Sequence, residues 1–460
     1  MRMNRARYLR WLILLVVLFL LVPETAVWGQ TISVTDLGTL GGNNSHALGM
    51  NNLGHIVGSS SIPSGLPRAF FWSPEEGIKD LGTLGGDYSE ALAVNSRGQA
   101  VGGSSTKEGN WRGFLWTAEG GMADLGTLGG SSSHALLAND LGHVAGTSAD
   151  ASENERLFFW TPEKGMVDIG SFGGDYSEVA AMNNQGQVVG SSLTPSWESR
   201  AFLWTPNGQM VDLRPLSEGY SYALAINDHG QVAGASDTAS GFTQAFFWTP
   251  EGGMMNLGSL GGSFSEATAV NNLGQVVGRS YTESDTHRAF LWTLAGGMVD
   301  LGTLGGNFSE ALAISDRGQV VGRSTNASGE WKAFLWTAKA GMVDLGTLGG
   351  NSGQAHAVNN RGQIIGDSRN AGKATHATLW SVPSLTPEEE VKELIAEVEG
   401  LIRSRGLRKE FGKVLIFELQ IVLKKIQRER TKMACHLLHA FTHQVKILVK
   451  AHRLSSPNGQ

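Results

Sequence analysis

The sequence predicts an all-β chain: an eight-bladed β-propeller of 44-residue, four-stranded repeats closed by its N-terminal strand, followed by a small three-helix C-terminal domain. Three observations predict it. Tryptophan recurs at Trp72, Trp116, Trp160, Trp204, Trp248, Trp292, Trp336 and Trp380, and every interval is 44 residues. Each of the eight copies holds four short apolar runs separated by turn residues, which is the content of a propeller blade. Finally, "SVTDLG" (Ser33–Gly38) is a fourth strand with no copy before it, and the last copy stops after its third strand at Trp380. The two pieces can complete one blade and lock a ring. An open solenoid would instead need capping repeats at its ends.

The elements follow in order along the chain. Residues 1–29 read as a signal peptide: four arginines precede the twelve-residue apolar run Trp11–Val22, and small residues stand at Val27 and Gly29. Twelve residues fall short of the roughly 20 a membrane-spanning helix needs. Residues 30–382 form the propeller. In the copy around Trp116, strands are expected at Glu90–Asn95, Ala100–Ser105, Arg112–Thr117 and Met122–Gly126. The turns between them carry Asn or Ser with Gly at one end, and Pro, Glu and Gly at the other. First strands use small residues such as Ala91 and Ala93, whereas third strands read Phe-Leu-Trp, a taper that suits a wedge pointing at an axis. Both alternating sets of the third strand are apolar, so both of its faces must be covered, as when blades stack.

After a linker at 383–387 the composition changes: glycine and tryptophan give way to Leu, Ile, Lys and Glu. Thr386 caps a segment with Pro387 in its first turn, and Val391, Leu394, Ile395, Val398 and Leu401 make one helical stripe. Two further amphipathic stretches, about 409–428 and 432–452, complete a three-helix domain over 388–454, and 455–460 form a disordered tail.

Composition bounds the function. Glycine is abundant (62 of 460 residues) and charged residues are sparse at 17%, as expected where many tight turns join short strands. The single Cys435 excludes an intramolecular disulfide framework. Charge is uneven: the tail after Leu385 carries 14 basic and 9 acidic residues, whereas the middle of the chain holds 18 basic and 32 acidic ones. An acidic central domain argues against nucleic acid as the partner.

The copy "SEALAISDRGQVVGRSTNASGEWKAFLWTAKAGMVDLGTLGG" (Ser309–Gly350) resembles the HAF repeat of exported bacterial proteins, over about residues 33–382. The His of that motif is mostly replaced here, by Arg68, Arg200 and Arg288, or by Gln244 and Lys332. "LTPEEEVKELIAEVEGL" and "MACHLLHAFTHQVKIL" resemble the FIMAH domain found at the C-terminus of secreted bacterial proteins. The resemblances imply an extracellular repeat protein with a helical interaction module, and no defined ligand or activity.

Candidate chemistry concentrates on one face. In a propeller the loops from second to third strand and from fourth to first emerge together, and here they include the variable "TKEGNW", "TPSWES" and "TESDTH". The residue before the first-strand alanine is His46, Glu90, His134, Glu178, Tyr222, Glu266, Glu310 and Gln354 in turn. These eight would circle the mouth of the ring and could take a divalent cation or a hydroxyl-rich ligand such as a glycan; the plainer reading is a polar rim. The copy with "RPLSEGYSYA" (Arg214–Ala223) in place of "GTLGG" makes one side distinctive. His436, His439 and His443 share a helical face, yet Leu437, Leu438, Phe441 and Val445 are the apolar stripe, which places the histidines toward solvent and Cys435 in the core. "GTLGG" lacks the Lys-Ser/Thr of a phosphate loop and is a turn.

The expectation is a secreted, non-enzymatic binding or adhesion scaffold with a glycan or protein ligand, no nucleic acid, no membrane span once the leader is removed, and a helical tail for protein contacts. The alternatives are a polysaccharide-acting enzyme using Glu90, Glu178, Glu266 and Glu310 as acid/base groups, or a purely structural surface component. The sequence displays no clustering of unlike catalytic partners on adjacent blades.

Overall fold

The structure, a computed structural model, describes residues 32–382, the positions 388, 391, 392, 395 and 399, and residues 409–426. One compact unit is Ile32–Val382; a second comprises Met1–Thr31 and Pro383–Gln460. In the second unit, α1 (Lys409–Ile426) is helical and buries Leu419 and Val422. The five isolated positions between 388 and 399 are helical too. The leader, the third helix, the histidine row and Cys435 lie outside the described residues. Among those described, no helix is long and apolar enough to cross a membrane.

In the Ile32–Val382 unit, seven sequence copies each fold into four consecutive antiparallel strands, and the last supplies three. The copy around Trp116 forms Gly85–Val94, Ala100–Thr106, Trp111–Thr117 and Gly121–Asp124. Its first strand starts five residues earlier than the sequence suggests, because Gly85 pairs with Thr106 across an irregularity in the ladder. Six four-stranded sheets stand separately; two further copies, Ser221–Asn256 and Gly261–Asp300, merge into an eight-stranded sheet through one parallel bridge between Thr243 and Phe264. The closure is as expected: Ser33–Asp36 pairs antiparallel with Thr375–Ser381, Val34 opposite Trp380.

The core lies between sheets. Val57 and Ala69 of the first copy pack with Ala91, Phe114 and Trp116 of the second, and Ile365, Ala377 and Leu379 of the last pack with Leu37, Ala47, Ile56 and Phe70 at the start. The third-strand phenylalanines, Phe70 to Phe334, are fully buried. Stacked sheets that bury both faces explain why that strand is apolar on both sides.

The repeated motif residues are consumed by this architecture. The "VVG" glycine faces a β-bulge in the first strand of every copy: at Gly146, an added Cβ would lie 1.9 Å from the His134 carbonyl oxygen and 3.0 Å from the Phe158 ring. No larger residue fits there. The first-strand serine joins neighbouring copies. Ser89 Oγ donates to the Gly82 carbonyl at 2.6 Å and accepts from the Ala69 amide of the preceding copy at 2.9 Å. The "DLG" aspartate closes its own turn, as Asp80 does by accepting from the Gly82 amide at 2.7 Å. Seven aspartates close the turn in this way, so part of the acidic charge of this unit is turn chemistry.

Candidate functional site

The first strands carry two repeating sets of polar residues, one in the turn they lead into and one further back along the strand. Each turn asparagine donates to the backbone of the next copy. Asn51 Nδ2 reaches the Asn95 carbonyl at 2.7 Å, Asn227 reaches that of Asn271 at 2.8 Å, and Asn359 returns to Asn51 at 3.2 Å. The next residues form a parallel ring, in which Asp140, Asp228 and Asp316 each accept a backbone N–H from the preceding copy at 2.7 to 2.9 Å. These residues line a cavity of about 350 Å³. Their polar groups are committed to joining copies, which makes this end a clasp. Among the described residues, no group of three or more His, Cys, Asp or Glu is placed to hold a metal.

The eight residues expected to circle the mouth do not all stand at strand starts: Glu90, His134, Glu266, Glu310 and Gln354 lie midway along ten-residue strands, so each has its own neighbourhood. Cross-strand register sets it: Glu266 lies opposite Arg279, Glu310 opposite Arg323, and Gln354 opposite Asp367. These second-strand partners connect the expected residues into a relay. Tyr222 Oη donates to Glu266 Oε1 at 2.8 Å. Arg279 donates from Nε to Glu266 at 2.9 Å and lies 3.7 Å from Glu310. Arg323 holds Glu310 at 2.8 Å and reaches Gln354 at 3.4 Å. Gln354 contacts His356 at 3.2 Å, and Asp367 lies between His356 at 3.2 Å and His46 at 3.0 Å. Five of the eight expected residues thus belong to one network.

The other three stand apart from it. His134 approaches Glu90 at 3.4 Å, without the alignment of a hydrogen bond; Glu178 accepts from Tyr176 and Ser191. The Glu90 side chain is 36% exposed, against 12% and 14% for Glu266 and Glu310. Arg279, Arg323, His356 and Asp367 are the unlike partners that sequence reading missed.

Electrostatics follow from this pairing. The hydrogen bond that the His46 ring donates to Asp367 raises the pKa of His46, against the opposing effect of burial. Burial alone would raise Asp367, but His356 and His46 hold it below its ordinary value. The Tyr222 hydroxyl is pushed up strongly by burial and then by Glu266, so it serves as a neutral donor.

Sequence reading also missed a collar of aromatic rings two residues before the polar ring, at the same 44-residue step: Tyr88, Tyr176, Tyr220, Phe264 and Phe308. All but Phe264 are exposed. In the copies containing Trp292 and Trp336 the collar extends into a ridge. Ring centroids step from Phe264 to Tyr281 (5.5 Å), His287 (4.2 Å), Phe308 (5.7 Å) and Trp331 (6.3 Å). Arg279 stands 5.5 Å from the Phe264 ring and Arg323 4.7 Å from that of Trp331. The signal that could have revealed the collar was the spacing itself, applied to aromatic residues.

No family model and no curated protein matches the sequence. Among solved structures, the chain is similar to the β-propeller domain of the Trilobed protease from Pyrococcus furiosus, at 10% identity and a TM-score of 0.43, over 69% of this chain and 98% of that one. It is also similar to BP39L lectin from Burkholderia pseudomallei, at 9% identity and a TM-score of 0.39, over 68% and 97% of the two chains. TolB from Acinetobacter baumannii follows at 10% identity and a TM-score of 0.34, over 62% and 80%.

Proposed function

We propose that this chain is a secreted binding scaffold of the HAF-repeat kind, an eight-bladed ring that recognises a ligand on the face bearing the polar ring and the aromatic collar. One observation carries the reading: residues fixed by the fold repeat faithfully, whereas the residues that differ between copies gather with exposed aromatics on that face. Recognition on a rigid frame concentrates variation in this way. Glu266 and Glu310, two of the carboxylates an enzyme would need, are each held by arginine, which favours binding over acid/base chemistry.

Blocking one face at a time tests this in the full chain carrying Cys435→Ser. A bulky maleimide on Asp285→Cys, in a variable loop, should abolish binding to bacterial or plant polysaccharide. The same label on Arg97→Cys, in a turn at the clasp end, should leave it intact. The reverse pattern would reject the loop face as the binding surface.

A further inference from the structure

We propose that the loop face carries a defined subsite for a neutral pyranose oligosaccharide on the copies containing Trp292 and Trp336, a specification that rests on the loop-face reading. The ridge supplies the first requirement. A pyranose presents an apolar C–H face edged by hydroxyls, and the steps between successive aromatic rings, 4.2 to 6.3 Å, are of the size of a sugar residue. Phe308 and Trp331 are 43% and 38% exposed. Most of their surface is therefore already held by the protein while one part stays open, as in a preorganised platform.

The second requirement is a set of fixed donors and acceptors beside the rings. Arg279 and Arg323 lie within 5.5 Å of the Phe264 and Trp331 rings, and their side chains are 34% and 36% exposed, while their partners Glu266 and Glu310 are nearly buried. The carboxylates hold both guanidinium groups in place, and part of each arginine side chain remains open to solvent. Planar donors held in this way hydrogen-bond hydroxyl oxygens with little further loss of freedom.

Charge decides the ligand class. Two arginines face two glutamates and cancel, while the loop between Tyr281 and His287 adds Glu283 and Asp285, the latter close enough to act on His287. Nearby Arg288 and Lys332 are likewise paired, with Asp300 and Glu330. An anionic glycan would need a cation not already neutralised and would meet these two carboxylates, and a metal-bridged one would need a grouped ligand set, which is absent among the described residues. A neutral sugar needs neither, and avoids desolvating an unpaired charge.

The test is a glycan array of neutral and acidic oligosaccharides probed with the full chain, followed by calorimetry on the best binder with Trp331→Ala and, separately, Trp197→Ala. Trp197 is a more accessible loop tryptophan, 66% exposed, in the copy containing Trp204. Each variant's melting midpoint is checked against the parent. The expected result is a neutral oligosaccharide whose affinity falls about tenfold or more in Trp331→Ala and little in Trp197→Ala. Binding confined to acidic glycans, or to none, overturns the proposal. Loss in Trp197→Ala alone overturns the location and leaves the loop-face reading standing. Only the face-blocking result above can remove that broader reading.

Discussion

Replacing one glycine by alanine should damage the ring through a single carbonyl oxygen. At Gly146 the new Cβ would sit 1.9 Å from the His134 carbonyl oxygen, and the Phe158 ring, 3.0 Å away on another side, is fully buried and cannot retreat. The carbonyl would have to move by more than about 1 Å, or the bulge after Ala135 would have to open. Overpacking of this kind costs about 1–3 kcal/mol, and a disrupted bulge adds about 1 kcal/mol for each lost backbone hydrogen bond. The expected loss is about 3–4 kcal/mol, read as a lowered urea midpoint at unchanged slope. Gly126→Ala is the control. That glycine has φ +80° and nothing within 4 Å of the added atom, so it should lose only the left-handed-backbone preference, about 1–2 kcal/mol. A Gly146→Ala loss no larger than the control would refute the steric account of the motif.

Three further outcomes are expected. Asn227→Ala should destabilise by about 3 kcal/mol, since Asn227 makes four hydrogen bonds while almost fully buried. Asn227→Ser should lose less, because Ser315 occupies the equivalent place in another copy; calorimetric melting of both variants decides. Arg214→Gly should stabilise slightly: Arg214 has φ 55° where seven sister copies carry glycine. Relief of about 1–2 kcal/mol outweighs the roughly 0.5–1 kcal/mol of chain freedom that glycine adds to the unfolded state, so the urea midpoint should rise. The His46–Asp367 pair should be strongest between the ordinary values of 3.8 and 6.5. The raised His46 contributes stability that is full below 6.5 and lost as pH climbs through its folded value. The lowered Asp367 contributes stability present above 3.8 and lost as pH falls through its folded value. The melting difference between parent and His46→Gln should therefore shrink toward alkaline pH; a constant difference would count against the pair.

The repeat length, the turns and the split last sheet were legible because they are written in covalent spacing: tryptophans 44 residues apart and a lone "SVTDLG" before them. The regular recurrence of His46, Glu90 and their equivalents on the first strands was legible for the same reason, but not that Glu90 lies midway along Gly85–Val94. Their partners were not. Arg279 becomes the neighbour of Glu266 only through the ladder register, which the bulge after Ala267 shifts by one residue, and no periodicity announces a bulge. Asp367 was hidden similarly, since it bridges His356 on its own sheet to His46, more than 300 residues earlier. In the C-terminal region the amphipathic stretch at about 409–428 was legible and contains α1, and the described positions between 388 and 399 are helical where the stripe from Val391 lies.

The pairing of Ser33–Asp36 with Thr375–Ser381 also dictates an order of events. The closing strand leaves the ribosome first and finds its place last, after every other strand of the unit has been made. During that interval the final sheet has a bare edge and the opening strand has no ladder to join, the condition in which chains pair with the wrong neighbour. Ring completion joins segments about 345 residues apart, a non-local step that slows folding. A helper that shields one free edge would act at this seam alone, whichever copies have already stacked.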